Sequence, residues 1–419
     1  MGNDSSAPLP PSSPTRSLKS STGPLHVKKV FTSPIDGQKP GTSGLRKKTK
    51  VFSETENYLE NFVASTLIAV SNGSGTDAVD FKSTGQALLI GGDGRYFNNE
   101  AIQKIVKIGA AMGINRFWIG KDGLLSTPAV SAVIRERGPR WQAPFGAFIL
   151  TASHNPGGPE EDFGIKYNCA NGGPAPEGLT DAIYNNTKTI DEYVICPKFP
   201  EIDLSEVGTT VVGNVIVEVI DTTESHVTLL KSVFDFSKIK TLLDREDFTM
   251  VYDSMHGVNG PYARAVFVDE LGQDESMCLN SVPKDDFAGE HADPNLTYAK
   301  ELVKIMGLDK KGNSIDTGDA KVPSFGAAAD GDGDRNMILG TKFFVTPSDS
   351  LAIIAAHADK IPFFSQQGGL KGVARSMPTS GAVDLVAKEL GFDLFETPTG
   401  WKVRLFKCNH FSYIFNFNK

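Results

Sequence analysis

The stretch LLIGGDGRYFNNEAIQKIVKIGAAMGINRFWI, residues 88–119, decides the fold class. Leu88, Leu89 and Ile90 form a short apolar run that passes into Gly91-Gly92-Asp93-Gly94-Arg95. Ile102, Ile105, Val106 and Ala110 then recur at helical spacing from a cap at Asn98/Asn99 to Gly113, and Ile114 to Ile119 reads as the next strand. The same order returns near the other end. Gly372-Val373-Ala374 leads through Pro378-Thr379-Ser380 to a helix marked by Val383, Val386, Ala387 and Leu390, which stops at Gly391 before Phe392–Glu396. Strand–helix alternation with short glycine-rich loops predicts parallel α/β layers.

Outward from these repeats, 419 residues suit two to four domains, and 40% apolar residues suffice for several cores. The net charge of −8 gives no electrostatic basis for nucleic-acid binding, which normally leaves a basic excess. Cys169, Cys196, Cys278 and Cys408 are too scattered for a zinc knuckle or a disulfide framework, so a reducing compartment fits. The apolar run at Phe62–Val70 is far shorter than the roughly 20 residues a bilayer-spanning helix needs, and the N-terminus has no signal-peptide core. The expected location is cytoplasmic.

Residues 1–33 are expected to be a disordered Ser/Pro-rich tail, because residues 1–24 contain seven Ser and five Pro and almost no large apolar side chain. Met1-Gly2-Asn3-Asp4-Ser5-Ser6 matches the N-myristoylation pattern, with Arg16, Lys19, Lys28 and Lys29 as a second, electrostatic membrane signal. Reversible membrane association through Gly2 is one reading, and a coincidental glycine on a solvated tail is the other. At the far end, residues 403–419 are crowded with aromatics and show neither caps nor a clear period.

The loops richest in chemistry follow short apolar strands: Ala147–Leu150 before Thr151-Ala152-Ser153-His154-Asn155-Pro156, and Phe325–Ala329 before Asp330-Gly331-Asp332-Gly333-Asp334. In open α/β sheets ligands gather at the carboxyl ends of strands. Asp330, Asp332 and Asp334 repel one another, while the glycines between them let the backbone curl so that all three face one point. A hard divalent cation such as Mg²⁺, together with a phosphate oxygen, relieves that repulsion. An EF-hand is excluded, because the sixth loop position is Arg335 and the twelfth is Thr341. An acidic turn without an ion is the bland reading.

Ser153 lies on a tight turn from which a hydroxyl can project as a phosphate acceptor, although a Ser-His pair in a loop is more often a turn hydrogen bond. The G-x-S-x-G elbow is not matched, so acyl transfer is the weaker option. Arg46, Lys47, Lys166 and Arg335 are candidate cationic partners for phosphate, each with a bland reading as a solvated charge. Walker A and G-x-G-x-x-G patterns are absent, so the phosphate must arrive on something other than a P-loop nucleotide or a dinucleotide.

Six ordered motifs, Gly-Thr-Ser-Gly-Leu-Arg-Lys (41–47), Gly-Gly-Asp-Gly-Arg-Tyr (91–96), Thr-Ala-Ser-His-Asn-Pro-Gly-Gly (151–158), Asp-Gly-Asp-Gly-Asp-Arg-Asn-Met (330–337), Ser-Met-Pro-Thr-Ser-Gly (376–381) and Thr-Pro-Thr-Gly-Trp-Lys (397–402), together resemble the α-D-phosphohexomutase superfamily, in particular its eukaryotic phosphoglucomutase and parafusin-type members. The resemblance runs from about Pro34 to Lys402. It implies tandem α/β domains with mixed and parallel sheets: domain I at 34–225 with the phosphoserine loop, domain II at 226–342 with the metal loop, and part of domain III at 343–402 with a sugar-binding loop. It implies that Ser153 carries the phosphoryl group, that Asp330, Asp332 and Asp334 bind Mg²⁺ with it, and that Arg46, His154, Lys166 and Arg335 line the reaction centre. Thr399, Gly400 and Trp401 would contact the sugar.

The implied reaction interconverts glucose 1-phosphate and glucose 6-phosphate through glucose 1,6-bisphosphate. In-line positioning and charge neutralisation carry such chemistry. The pattern departs after Lys402, where no Gly-Glu-Glu-Ser-like sugar loop follows. The third domain is therefore expected to be incomplete, the fourth absent and turnover impaired, with residues 403–419 outside the family pattern. The competing expectation is a non-catalytic, parafusin-like phosphoprotein associated with membranes or vesicles. Glucose-versus-mannose preference and oligomeric state have no signature in the sequence.

Overall fold

The computed structural model describes residues 18–21, 23–41, 44–136, 143–398 and 413–415. Gly2, Thr399, Gly400 and Trp401 lie outside the described residues. The strands, in chain order, are β1 (Leu18–Ser21), β2 (Lys28–Phe31), β3 (Leu45–Lys48), β4 (Leu88–Gly92), β5 (Arg116–Leu124), β6 (Gly146–Leu150), β7 (Asp162–Cys169), β8 (Glu192–Ile195), β9 (Gly208–Val212), β10 (Val215–Ile220), β11 (Met250–Asp253), β12 (Cys278–Leu279), β13 (Phe325–Ala329), β14 (Asn336–Gly340), β15 (Phe343–Val345), β16 (Gly372–Ser376), β17 (Asp393–Thr397) and β18 (Tyr413–Phe415).

The first layer is a sheet ordered β1-β9-β10-β5-β4-β6-β7-β3. Its centre, β10-β5-β4-β6, is parallel, while β7 and β3 continue it antiparallel. Side-chain alternation sends Leu88, Ile90, Phe117, Ile119, Phe148 and Leu150 to one face, where the helices Tyr58–Ser71 and Asn98–Ala111 cover them. Leu89, Trp118, Ala147 and Ile149 go to the other face, whose core also takes in Val258 and Tyr262 from beyond β11. One buried cluster therefore joins the first sheet to the segment after β11, and this seam positions the site.

The second sheet runs β12-β11-β13-β14-β15, parallel from β12 to β13 and antiparallel beyond. The third, β17-β16-β18, is parallel. Its helix Ala382–Leu390 ends at Gly391, whose φ of 71° supplies the left-handed cap that the sequence pattern required. β18 falls in the segment where the sequence showed no period.

Two expectations are corrected. Residues 1–33 were expected to lie outside the folded part, yet β2 pairs antiparallel with β8 and β1 pairs parallel with β9. A sheet edge recruits a strand through main-chain groups, which needs few apolar side chains, and Leu25 and Val30 add contacts to the core. The helix Asn98–Ala111 starts as expected but without an asparagine cap. Phe97 enters it with φ 73°, and Asn98 Nδ2 donates to the Gly123 carbonyl.

Candidate active site

Ser153 follows β6 and is buried. Its φ of 59° lies in the left-handed region, which is strained for a non-glycine residue and persists only where surrounding contacts over-determine it. Here they do. The Ser153 N–H donates to Thr151 Oγ1 at 2.7 Å, and the Ser153 carbonyl accepts from Arg95 at 2.8 Å. Thr151 Oγ1 in turn donates to Asp93 Oδ2 at 2.5 Å. Asp93 and Arg95, both with fully buried side chains, form a salt bridge at 2.8 Å, and Arg95 Nε lies 3.0 Å from each Asp93 oxygen. A second Arg95 nitrogen donates to the Asp162 and Asn155 carbonyls, and the guanidinium lies over the Phe287 ring. With its main chain fixed on both sides, Ser153 donates its hydroxyl to Asp330 Oδ2 at 2.9 Å, across 177 residues of sequence.

The acidic loop leaves β13 with Asp330 and Asp332 buried and the Asp334 side chain 40% exposed. Oxygen atoms of the three carboxyl groups lie within 4.8 Å of one another. Asp330 Oδ1 accepts the Arg335 N–H at 3.0 Å. Asp332 Oδ2 accepts from Lys166 Nζ and from Thr127 Oγ1, both at 2.9 Å, while the buried Asp332 Oδ1 has no partner among the described residues. Burial, and then repulsion from Asp332 and Asp334, push the Asp330 carboxyl well above the usual carboxylate range. Burial works against the charge on Asp332 as well, but Lys166 and the Thr127 hydroxyl outweigh it and hold that carboxyl below its ordinary value.

The two loops meet main chain to main chain. A Cβ on Gly331 would stand 2.7 Å from the Ser153 carbonyl oxygen and 3.0 Å from the Phe287 ring, and one on Gly257 would stand 2.9 Å from the Gly331 Cα. The glycine between Asp330 and Asp332 therefore serves close approach across the seam, in addition to the curling of the loop foreseen in the sequence.

Cations ring this centre. Lys166 reaches Asp332 and stands 4.0 Å from Asp334. Arg335 contacts His154 through Nδ1, which makes that nitrogen the acceptor and leaves the ring hydrogen on Nε2. Burial, followed by the Arg335 charge, lowers the His154 pKa to about 4. Arg46, on β3, has its pKa lowered first by burial and raised in part by Asp332. Among the described residues its buried Nε has no partner, so it is a donor suited to an anion. The structure thus brings together Ser153, His154, Lys166, Arg46, Arg335 and the three aspartates.

A fixed hydroxyl, an orphaned carboxylate oxygen among three acids, and surrounding donors suit a phosphoryl group with a divalent cation. The carboxylate oxygens match a hard ion, and among the described residues nothing else satisfies Asp332 Oδ1. Sequence reasoning gave no role to Asp93, Arg95, Thr151 or Thr127. The available signal was the Asp-x-Arg pair directly after β4, since two opposite charges at a buried strand exit need each other.

Three α/β units with a serine and a carboxylate trio meeting at the seam of the first two define a phosphohexomutase architecture. The chain belongs to the phosphoglucomutase/phosphomannomutase family: residues 37–194, 224–342 and 347–415 match its α/β/α domains I, II and III in order. It is 59% identical over 382 residues to a cytoplasmic phosphoglucomutase of Mesembryanthemum crystallinum and 57% identical over 382 residues to one of Pisum sativum. Each match covers 90% of this chain and 63% of the relative, so the chain spans a little under two thirds of the length of these relatives. The structure of the exocytosis-sensitive phosphoprotein pp63/parafusin, a phosphoglucomutase from Paramecium, in its open form, aligns with a TM-score of 0.82 at 47% identity, covering 90% of this chain and 65% of that one. Among the described residues no helix is long and apolar enough to cross a membrane.

Proposed function

We propose that this chain carries phosphoglucomutase chemistry, the interconversion of glucose 1-phosphate and glucose 6-phosphate through glucose 1,6-bisphosphate, with Ser153 as the phosphoryl carrier. The observation that carries the reading is the 2.9 Å hydrogen bond from Ser153 Oγ to Asp330 Oδ2, which sets a restrained nucleophile on the acidic loop. The relatives' names supply the sugar. Asp330, Asp332 and Asp334 hold Mg²⁺ together with the phosphorylated Ser153. When bound, the ion neutralises charge on the transferring phosphoryl group.

The remaining work falls to side chains already in place. Arg46 and Arg335 bind phosphate oxygens, and the His154 Nε2 hydrogen is a further donor because the ring is neutral above about pH 4. Lys166, set between Asp332 and Asp334, balances the acids and orients the incoming sugar phosphate. Thr399, Gly400 and Trp401 contact the sugar, on the family pattern. Cytoplasmic location follows the relatives' names. Reversible membrane attachment through Gly2 is a finer reading that incorporation of a myristate analogue tests.

The test is transfer to the protein itself. Glucose 1,6-bisphosphate bearing labelled phosphate should, with MgCl₂, label wild-type protein on Ser153, and Ser153→Ala should take up none. Wild-type protein that stays unlabelled, or a Ser153→Ala protein that is labelled, overturns the assignment.

A further inference from the structure

Asp332 belongs to domain II, yet the donors to its side chain come from domain I. Its Oδ2 accepts from Lys166 Nζ and from Thr127 Oγ1, each at 2.9 Å. Its main-chain oxygen accepts the Thr127 N–H, also at 2.9 Å. Thr127 therefore grips one residue twice, through main chain and side chain, across 205 positions of sequence. Asp332 is fully buried and Thr127 is 7% exposed, so water does not compete for these contacts.

Thr127 is itself held firmly. It opens the helix Thr127–Glu136, where Ser126 Oγ accepts the Ala129 N–H at 3.1 Å and the Ser126 N–H donates to the Tyr262 hydroxyl at 3.2 Å. Its β-branched side chain has few rotamers. Lys166 differs, because an ammonium on a flexible stem is a point charge that can serve either oxygen of a carboxylate. The hydroxyl of Thr127 is the contact that fixes the rotation of the Asp332 carboxylate, engaging Oδ2 and leaving Oδ1 bare.

We propose that Thr127 is a positioning residue that selects which Asp332 oxygen faces the cation, so that domain I sets part of the geometry of the domain II metal loop. The inference rests on the reading of Asp330, Asp332 and Asp334 as cation ligands. Contacts of this kind, one bond removed from a metal, change its affinity by about 10- to 100-fold when lost.

Calorimetric titration of the full chain with MgCl₂ tests it. Thr127→Val removes the hydroxyl and keeps the shape and the main-chain bond, Thr127→Ala does so without bulk if the valine variant does not fold, and Thr127→Ser restores the hydroxyl. The expected result is Mg²⁺ binding weakened about tenfold or more in the hydroxyl-less variants and returned close to wild type in Thr127→Ser. Equal Mg²⁺ affinity in wild type and a hydroxyl-less variant overturns the inference alone, and so does a weakening that Thr127→Ser fails to repair, since the role is then only structural. A wild-type chain that binds no Mg²⁺ overturns the ligand reading and this inference with it.

Discussion

The guanidinium of Arg95 touches both oxygens of Asp93 and, with the same planar fork, donates to the main-chain oxygen of Ser153 at 2.8 Å. One buried ion pair is thereby turned into a clamp on a strained serine. The strain at φ 59° is held by donors fixed in the loop after β4, so the serine presents its hydroxyl with little freedom left to lose.

Arg95→Lys keeps the charge but loses the fork. Labelling of Ser153 by glucose 1,6-bisphosphate is expected to fall about a hundred-fold, the scale on which a misplaced reacting group acts. Arg95→Ala strands the Asp93 carboxylate, and urea unfolding followed by tryptophan fluorescence is expected to show a loss of about 3–5 kcal/mol.

Gly331→Ala places a methyl group 2.7 Å from the Ser153 carbonyl, a main-chain atom that cannot swing aside. The two loops must part. The expected outcome is near-complete loss of Ser153 labelling with a stability cost of about 1–3 kcal/mol, the scale of overpacking, read from labelling and urea unfolding of the same preparation.

If Asp330, Asp332 and Asp334 hold a cation as proposed, they destabilise one another without it and are relieved by it, so removing one has opposite effects in two conditions. In EDTA, Asp330→Asn is expected to leave the thermal midpoint unchanged or raised. MgCl₂ at about a hundred times its dissociation constant should stabilise wild-type protein by about 2.7 kcal/mol and the variant far less. Parallel thermal scans with EDTA and with MgCl₂ check this.

His226 lies in the helix Glu224–Val233 with its ring edge-on to Tyr262 and a buried Nδ1 that has no partner among the described residues. Burial lowers its pKa to about 4, so the unfolded chain binds the proton more readily than the folded one. The associated stability is present above pH 6.5, the ordinary value, and is lost as pH falls from there toward 4. The loss is about 1–2 kcal/mol when the ring's partial exposure is allowed for. His226→Phe should reduce the pH dependence of the urea midpoint over that range, leaving the share that His154 contributes, without moving it at pH 8.

What the sequence revealed about the site followed from residue type. Ser153 and the alternating Asp-Gly run both sit at strand exits, and the short apolar runs Ala147–Leu150 and Phe325–Ala329 were enough to place those exits. Partners distant along the chain were not legible: nothing near Thr127 signals that its hydroxyl meets a carboxylate 205 residues away. Asp93 and Arg95 looked like part of a glycine-rich turn because their pairing depends on burial, which composition does not report. Asn98 carried the residue type of a cap but is used for the Gly123 carbonyl, a tertiary demand that overrides local preference. The β1 and β2 pairings escaped because edge strands are recruited through main-chain groups that every sequence has.

The seam between the first two sheets also sets an order on biogenesis. When the ribosome has made only the first sheet, Ser153 already has its clamp from Arg95, but the acids at 330–334 and the Val258 and Tyr262 side chains that close the shared core do not yet exist. Ala129, Val130, Val133 and Ile134 of the helix Thr127–Glu136 already cover most of the second face of that sheet, so the nascent N-terminal half is a packed serine scaffold that still lacks its acids. The next hundred or so residues close the remaining edge of that core with Val258 and Tyr262 and bring in the acidic loop, so the serine waits on the second sheet for its acids.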